Sequence, residues 1–453
     1  MTDDNRKAPR IGFISLGCPK NLVDSEVMLG TLSRQGYTLT SNKEEADVLV
    51  VNTCGFIDTA KRESIDTILE MAEMKNTGNC KKLVVAGCLA ERYRDDIRKE
   101  IPEIDFIFGP DELGRILEAV RLDEHDIVPD ISIDALYTSR EVPTIPRILT
   151  TPPYMAYLKI SEGCDHVCTF CAIPGFRGKF RSRSVKDLVA EANRLSDQGV
   201  REIVLVSQDT MAYGKDIGIA EGITVLLREL ARVDGLKWVR FLYCYPNTVT
   251  ESLVRLVAEE ERLCKYFDIP YQHASRSVLE RMKRGGTRDI YERQIENIRK
   301  WNPDSGLRTS FITGFPGETE EDFNEVLTFM KNVSFDNVGV FLYSDEEGTG
   351  AFELDNKVAR RTATRRRNQV MKMQAGISRR RLRGMVGRQV EVLIEGRSEE
   401  SELLLKGRME TQAPDIDGHV LINDIGDRDV RAGEFHSVEL TESMDYDLIG
   451  KVV

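Results

Sequence analysis

The stretch Ser161-Glu162-Gly163-Cys164-Asp165-His166-Val167-Cys168-Thr169-Phe170-Cys171 places three thiols within eight residues, directly after the apolar run Tyr157 to Ile160. A loop this short folds three thiolates around one cube of iron and sulfide and leaves one iron open, whereas a tetrahedral zinc site wants a fourth ligand. Two plainer readings stand beside it: zinc completed by His166, or a chance clustering of buried thiols. Zinc ribbons pair two Cys-x2-Cys hooks, and no second hook occurs in this chain.

Working outward, Tyr157 to Ile160 is the first of six strand candidates, followed by Ile203 to Val206, Val239 to Tyr243, Phe267 to Ile269, Thr309 to Thr313 and Val338 to Leu342. Helical segments such as Val185 to Leu195 and Glu320 to Met330 separate them. The alternation predicts six β/α units over residues 154–383, most of a barrel, with one side open to a macromolecular substrate. Chemistry in such barrels gathers at the carboxyl ends of the strands, where the cysteine loop falls.

Upstream, Ile11 to Leu16, a helix from Leu22 to Leu32 stopped by Gly36, Val48 to Val51 and Leu83 to Ala86 have the rhythm of an open parallel α/β sheet over residues 9–125. Five of the fifteen prolines lie between Pro129 and Pro153, which predicts an extended linker over 126–153. Residues 384–453 turn to short runs (Val390 to Ile394, Leu403 to Leu405, Val420 to Ile422, Ser437 to Leu440, Leu448 to Val452) broken by Gly and Asp, the pattern of a small antiparallel β-barrel. The expected fold class is therefore α/β with a terminal all-β module.

Composition narrows the function classes. At 453 residues the chain splits into several domains. No apolar run is long enough to span a bilayer and Met1 to Arg10 is polar, so a cytoplasmic protein is expected. Nine cysteines are an odd number that suits metal or sulfur chemistry better than a disulfide framework. A net charge of −12 argues against a general nucleic-acid binder and leaves room for a basic protein partner.

A second cysteine set emerges from position alone. Cys18, Cys54 and Cys88 each sit just past an expected strand, so in one parallel sheet all three reach the same edge although 36 and 34 residues separate them. Cys80 precedes its strand and points to the other edge. The plainer reading of the three is buried core thiols.

The Cys-x3-Cys-x2-Cys loop resembles that of the radical S-adenosylmethionine (SAM) enzymes, in which the open iron chelates SAM before an electron cleaves it; Phe170 fits the aromatic of that motif. Gly17-Cys18-Pro19-Lys20-Asn21 with Asp24-Ser25-Glu26, Asn52-Thr53-Cys54-Gly55-Phe56 and Ala86-Gly87-Cys88-Leu89-Ala90-Glu91-Arg92 look like the N-terminal domain of the methylthiotransferases, and the last module is similar to a TRAM domain. The resemblance covers nearly the whole chain. It implies two [4Fe-4S] clusters, on Cys164, Cys168 and Cys171 and on Cys18, Cys54 and Cys88, with no catalytic side chain beyond them. It also implies exogenous sulfide or polysulfide as the sulfur source, a low-potential donor such as flavodoxin or ferredoxin, and hydrogen abstraction from an unactivated carbon.

Further expectations attach to single residues. Ser310-Phe311-Ile312-Thr313-Gly314-Phe315-Pro316-Gly317-Glu318-Thr319 reads as strand, glycine turn and helix start, so Gly314 and Gly317 are expected to border SAM. Ser207 and Gln208, at the second barrel strand's end, are expected to contact its methionine part; Asp268, Gln272 and His273 are given no role. Arg177, Lys179, Arg181 and Arg183 read as a solvated helix approach or as contacts for an acidic group of cofactor or substrate. Lys357 to Arg383 carries eleven basic residues and no acid, which reads as a long amphipathic helix with a solvated face and otherwise as a phosphate contact.

The two main methylthiotransferase branches modify a tRNA adenosine or an aspartate of a small-subunit ribosomal protein. Residues 384–453 hold seven Lys or Arg against sixteen Asp or Glu, a balance of −9, which repels phosphates and attracts a basic protein. Leu16 to Asn21, Val206 to Thr210 and Tyr271-Gln272-His273 also look more like the ribosomal-protein branch. Methylthiolation at the aspartate β-carbon, on a free protein or within the ribosomal subunit, is the expectation; tRNA adenosine methylthiolation is the alternative. An iron-sulfur electron carrier or RNA-bound scaffold is disfavoured, since carriers usually complete each cluster with four protein ligands.

Overall fold

The computed structural model describes residues 9–122 and 146–453, so the linker expected at 126–153 lies largely outside the described residues. The chain packs as two compact units, one of residues up to 152 with 157–166 and 171–190, the other of 153–156, 167–170 and 191–453.

In the first unit β1 (Arg10–Ser15), α1 (Pro19–Arg34), β2 (Thr38–Thr40), β3 (Val48–Thr53), α2 (Asp58–Thr77), β4 (Lys82–Gly87), α3 (Cys88–Arg92) and β5 (Phe106–Phe108) build a parallel five-stranded sheet of order β2-β1-β3-β4-β5. The central strand β3 is buried along its whole length, as expected of a parallel strand covered on both faces. One core joins Met28, Val50 and Phe108, the other Leu49, Ile68 and Val85, on opposite sides of the sheet. The edge strands β2 and β5 have three residues each, too few for a pattern to reveal them.

Helix α1 starts three residues before its expected Leu22, because Pro19 is tolerated at the first helical position. Beside the apolar Val23, Val27, Met28 and Leu32, it also buries the polar Asn21, Asp24, Ser25 and Glu26. Glu26 holds the described end of the linker region: Arg147 donates to its carboxylate at 2.6 Å and the Thr150 amide at 2.7 Å. The unit also contains β7 (Ser161–Glu162), which pairs antiparallel with β8 (Arg181–Ser182) and closes residues 163–180 into one loop. That loop follows β6 (Met155–Lys159).

In the second unit the parallel strands follow the expected order. Just before β6, the Tyr154 carbonyl accepts from the Glu202 amide, at 2.9 Å, where β9 (Glu202–Val206) begins. β9 pairs with β10 (Trp238–Phe241), and Val239 bridges to Leu263 just before β11 (Tyr266–Asp268). β11 then pairs with β12 (Gly306–Thr313), and β12 with β13 (Asn337–Leu342). All six expected strands are present to within three residues at either end.

The terminal module is a closed barrel of β14 (Gln389–Arg397), β15 (Leu405–Arg408), β16 (Val420–Asp424), β17 (Phe435–Ser443) and β18 (Leu448–Val452), ordered β14-β15-β16-β18-β17. Two corrections apply. The barrel is not purely antiparallel, since β16 and β18 run parallel. The second strand starts at Leu405 rather than Leu403, which is 91% exposed. Periodicity misplaced it because its inward-facing end is Arg408, a charge buried by pairing with Glu202 at the start of β9. Trp238 stacks edge-on with Phe435 at 4.8 Å and Tyr266 donates to Asp417 at 2.6 Å. The barrel therefore sits on the amino ends of β9, β10 and β11, opposite the rim where chemistry is expected.

Candidate functional site

In the first unit β1, β3 and β4 are neighbours, so Cys18, Cys54 and Cys88 follow three adjacent carboxyl ends, as their spacing predicted. Glycines let these ends crowd together. Gly17 has φ +93°, and a Cβ there would lie 2.8 Å from that of Cys54; Gly87 has φ +94°, and a Cβ would meet Asn52 Oδ1 at 2.3 Å. Asn52 donates to Ser25 Oγ and to the Asn21 carbonyl, and Asn21 donates to the Leu16 carbonyl, tying the β1 loop, α1 and β3 into one frame. Ser64 Oγ accepts from the Cys54 amide and donates to its carbonyl, both at 3.0 Å.

A buried guanidinium completes this edge. Arg177, in the helix Ile173–Arg177, is 2% exposed and donates from Nε to Cys88 Sγ at 3.1 Å. Its Nη1 donates to Asp24 and Glu162, each at 2.9 Å, and its Nη2 to Asn21 Oδ1 at 3.1 Å. Lys159 joins Asp24 and Glu162 from β6, so two cations face two carboxylates with all four charges buried. Such a pairing is costly to break, because removal of one partner strands a charge away from water.

The thiols differ electrostatically. Burial opposes ionisation of Cys18, yet Lys20 and Arg177 pull it below its ordinary value, helped by backbone amides at the start of α1. Burial pushes Cys54 up, and it pushes Cys88 up to about 12 in spite of Arg177. Among the described residues no three His, Cys, Asp or Glu side chains are arranged for a single metal ion. A four-iron cube takes each thiol at a different corner, a wider spacing than one ion allows, and three thiols beside a guanidinium form a donor set that fits an anionic iron-sulfide group.

The radical-type loop is anchored at several points. In the first unit the Cys164 amide donates to the Gly178 carbonyl at 3.1 Å, and a Cβ on Gly163 would fall 2.0 Å from the Lys179 carbonyl oxygen. In the second unit Cys168 is buried with Arg284 Nη1 3.6 Å from its sulfur, and Thr169 bonds the carbonyls of Arg281 and Met282. Phe170 packs against the cluster of Ile312, Phe315, Val278 and Met282, on the strand that leads into the Gly314 turn.

Gly314 and Gly317 both have positive φ, as a tight turn requires, but the reason for glycine at 314 is internal: a Cβ would lie 2.4 Å from that of Ala363. Both the Gly314 and Phe315 amides donate to Glu318, so this turn offers those two amides to its own carboxylate. His273 and Glu318 face each other at 3.8 Å, fully buried, and His273 Nδ1 accepts from the Ser275 amide. Ser207 and Gln208 lie just past β9, with Ser207 Oγ accepting from the Asp209 amide at 3.2 Å.

Two sequence expectations change. Arg177 and Arg183 are not solvated: Arg183 is 4% exposed and paired with Asp187 at 2.6 Å. Sequence reading also gave no role to Asp24, Lys159 or Glu162. The available signal was charge on surfaces that their elements bury, Lys159 inside an apolar strand and Asp24 on the inner face of α1. Cys80 is a core thiol, donating to the Lys82 carbonyl at 3.3 Å.

Residues 158–330 match the Radical SAM superfamily, residues 10–109 the Uncharacterized protein family UPF0004 and residues 386–453 the TRAM domain. A solved radical S-adenosylmethionine methyltransferase, TsrM from Kitasatospora setae, shares the fold with a TM-score of 0.53 at 16% identity, over 74% of this chain and 75% of its own. The class is thus a radical SAM enzyme with an added α/β domain and a TRAM barrel. Proteins named ribosomal protein uS12 methylthiotransferase RimO are 52% identical over 98% of this chain and 95% of the relative in Solibacter usitatus, and 47% identical over 99% and 97% in Koribacter versatilis. The chain belongs to this uS12 methylthiotransferase family.

Proposed function

We propose that this chain transfers a methylthio group to ribosomal protein uS12, at the β-carbon of an aspartate, by radical SAM chemistry. The observation that carries the reading is the near-full-length identity to uS12 methylthiotransferases, in a chain whose first unit brings three strand-end cysteines to one edge. The acidic terminal module suits a basic ribosomal protein, and the tRNA alternative has no comparable support.

In this reading Cys164, Cys168 and Cys171 hold one [4Fe-4S] cluster, Cys18, Cys54 and Cys88 hold a second, and Ser207, Gln208, Gly314 and Gly317 border SAM. Bound together, these groups supply hydrogen abstraction from an unactivated carbon and a transferable sulfur. The chain's own residues position them. Arg177 fixes the orientation of Cys88 and places positive charge beside the thiols; Phe170 braces the radical loop on the Ile312 strand; Glu318 sets the turn that follows. The sulfur is exogenous sulfide or polysulfide and the electron donor is a flavodoxin or ferredoxin. The domain limits are 9–125, 126–153, 154–383 and 384–453. A ribosomal substrate places the protein in the cytoplasm, and among the described residues no helix is long and apolar enough to cross a membrane.

The test is a mass comparison of uS12 peptides and tRNA nucleosides from cells with and without the gene. Loss of a methylthio group from a uS12 aspartate alone is the expected result. Loss from tRNA alone overturns the substrate assignment.

A further inference from the structure

We propose that the solvent face of the helix Arg360–Arg383 docks the phosphate backbone of RNA, so that the enzyme engages its protein substrate within an RNA-containing particle. The proposal rests on the uS12 reading and adds a second contact to it.

Helical spacing sorts this helix into two faces. Ala363, Arg366, Val370, Gln374 and Ile377 are buried, and Arg366 spends its charge on Glu318 and Glu320. On the opposite side Arg361, Arg365, Lys372, Arg379 and Arg383 recur at steps of four and seven and are all exposed, a single stripe along the outer wall. Arg365 and Arg379 make exposed pairs with Glu320 and Asp445, which contribute little in water. Arg360, Arg361, Lys372, Arg380 and Arg383 have no hydrogen-bonding or ionic side-chain partner among the described residues.

Helix stability does not explain the stripe. Like charges three and four residues apart destabilise a helix, this one contains no acid to relieve them, and Arg360 and Arg361 stand at its positive amino end. At 1.5 Å per residue its 24 residues extend about 36 Å, enough to face several phosphates. The helix runs from the Gly314 turn, where Ala363 packs, towards the amino end of β13, where Gln374 donates to the carbonyls of Phe335 and Asp336. The stripe therefore starts at the carboxyl-end rim of the barrel and leads away down its wall. The terminal module carries −9, so positive charge is concentrated on this one helix and not on the module. That pattern fits an RNA strand beside a basic protein substrate better than an acidic protein surface.

The experiment measures binding to purified small ribosomal subunits, and to RNA extracted from them, across a salt series. It compares wild type with the triple variant Arg361→Gln, Lys372→Gln, Arg383→Gln and with the charge-preserving Arg361→Lys, Arg383→Lys. Each phosphate contact contributes about 0.7–0.9 to the slope of log affinity against log salt, so the neutral variant should lose about 2–3 of that slope and at least ~10-fold in affinity. It should keep the wild-type kcat/KM on free uS12, and the charge-preserving variant should behave as wild type. An unchanged slope for the neutral variant overturns the proposal, as does wild-type binding to subunits without binding to the extracted RNA. If no form of uS12 is modified by any variant, the substrate reading fails, while the slopes still decide the RNA contact.

Discussion

Arg177 donates a hydrogen bond from Nε to Sγ of Cys88 at 3.1 Å, joining the end of the radical-type loop to a cysteine of the other triad across 89 residues of sequence. The same guanidinium is held by Asp24, Glu162 and Asn21, so its position is fixed from three sides. A charged group on a ligand sulfur tunes the group that sulfur holds, through hydrogen bonding and local charge.

Replacement of Arg177 by Met should therefore cost both stability and cluster. With Asp24 and Glu162 left facing Lys159 alone, the loss is about 3–5 kcal/mol, as for other broken buried ion pairs. Urea unfolding of the apo protein measures that part. Iron analysis and EPR of reconstituted protein should show the Cys18 set depleted or altered while the Cys164 set is retained. Arg177→Lys should recover part of the stability without the bond to Cys88.

Cys18→Ala, Cys54→Ala and Cys88→Ala together should abolish methylthio transfer and leave SAM cleavage measurable as 5′-deoxyadenosine. Equal loss of both would end the assignment of separate roles to the two triads.

Gly17→Ala should reduce iron at the Cys18 set, because the new Cβ would fall 2.8 Å from that of Cys54. Gly36→Ala is the control: φ is also positive, at +82°, but nothing lies within 4 Å. It should cost only the left-handed backbone strain of about 1–2 kcal/mol, with full iron content.

Arg408→Ala should lower stability by about 3–5 kcal/mol in thermal or urea unfolding, since it strands the fully buried Glu202 beside Arg240 alone. Burial opposes the charge on Glu202, but Arg408 and Arg240 hold its carboxyl below the ordinary range. A depressed folded value means that this stability is present above the unfolded carboxylate pKa of about 4.3 and is lost as pH falls through the folded value. The gap between wild type and Glu202→Gln should accordingly be widest near neutral pH and narrow below about pH 4.3. A constant gap would remove Glu202 from the acid response.

Much of the architecture was legible because it repeats. Six apolar runs at the expected intervals became β6 and β9 to β13, and three cysteines past three strands became three adjacent loop ends. Strand ends marked by charge are harder: the apolar pattern points to a strand start at Leu403, whereas the inward residue that fixes the register is Arg408.

By itself the sequence determined the chemistry of the chain, since a triad of thiols within eight residues and a second set at matching strand ends are properties of spacing and order. Which charges come to lie beside those thiols was settled by folding alone. Arg177, Arg181 and Arg183 stand alike in a basic run, yet Arg177 reaches Cys88, Arg183 turns to Asp187 and Arg181 pairs near the surface with Asp111. The physical reason is that a charge is buried only where distant partners compensate it, and those partners, Asp24 on α1 and Glu162 on β7, are brought to Arg177 by folding alone.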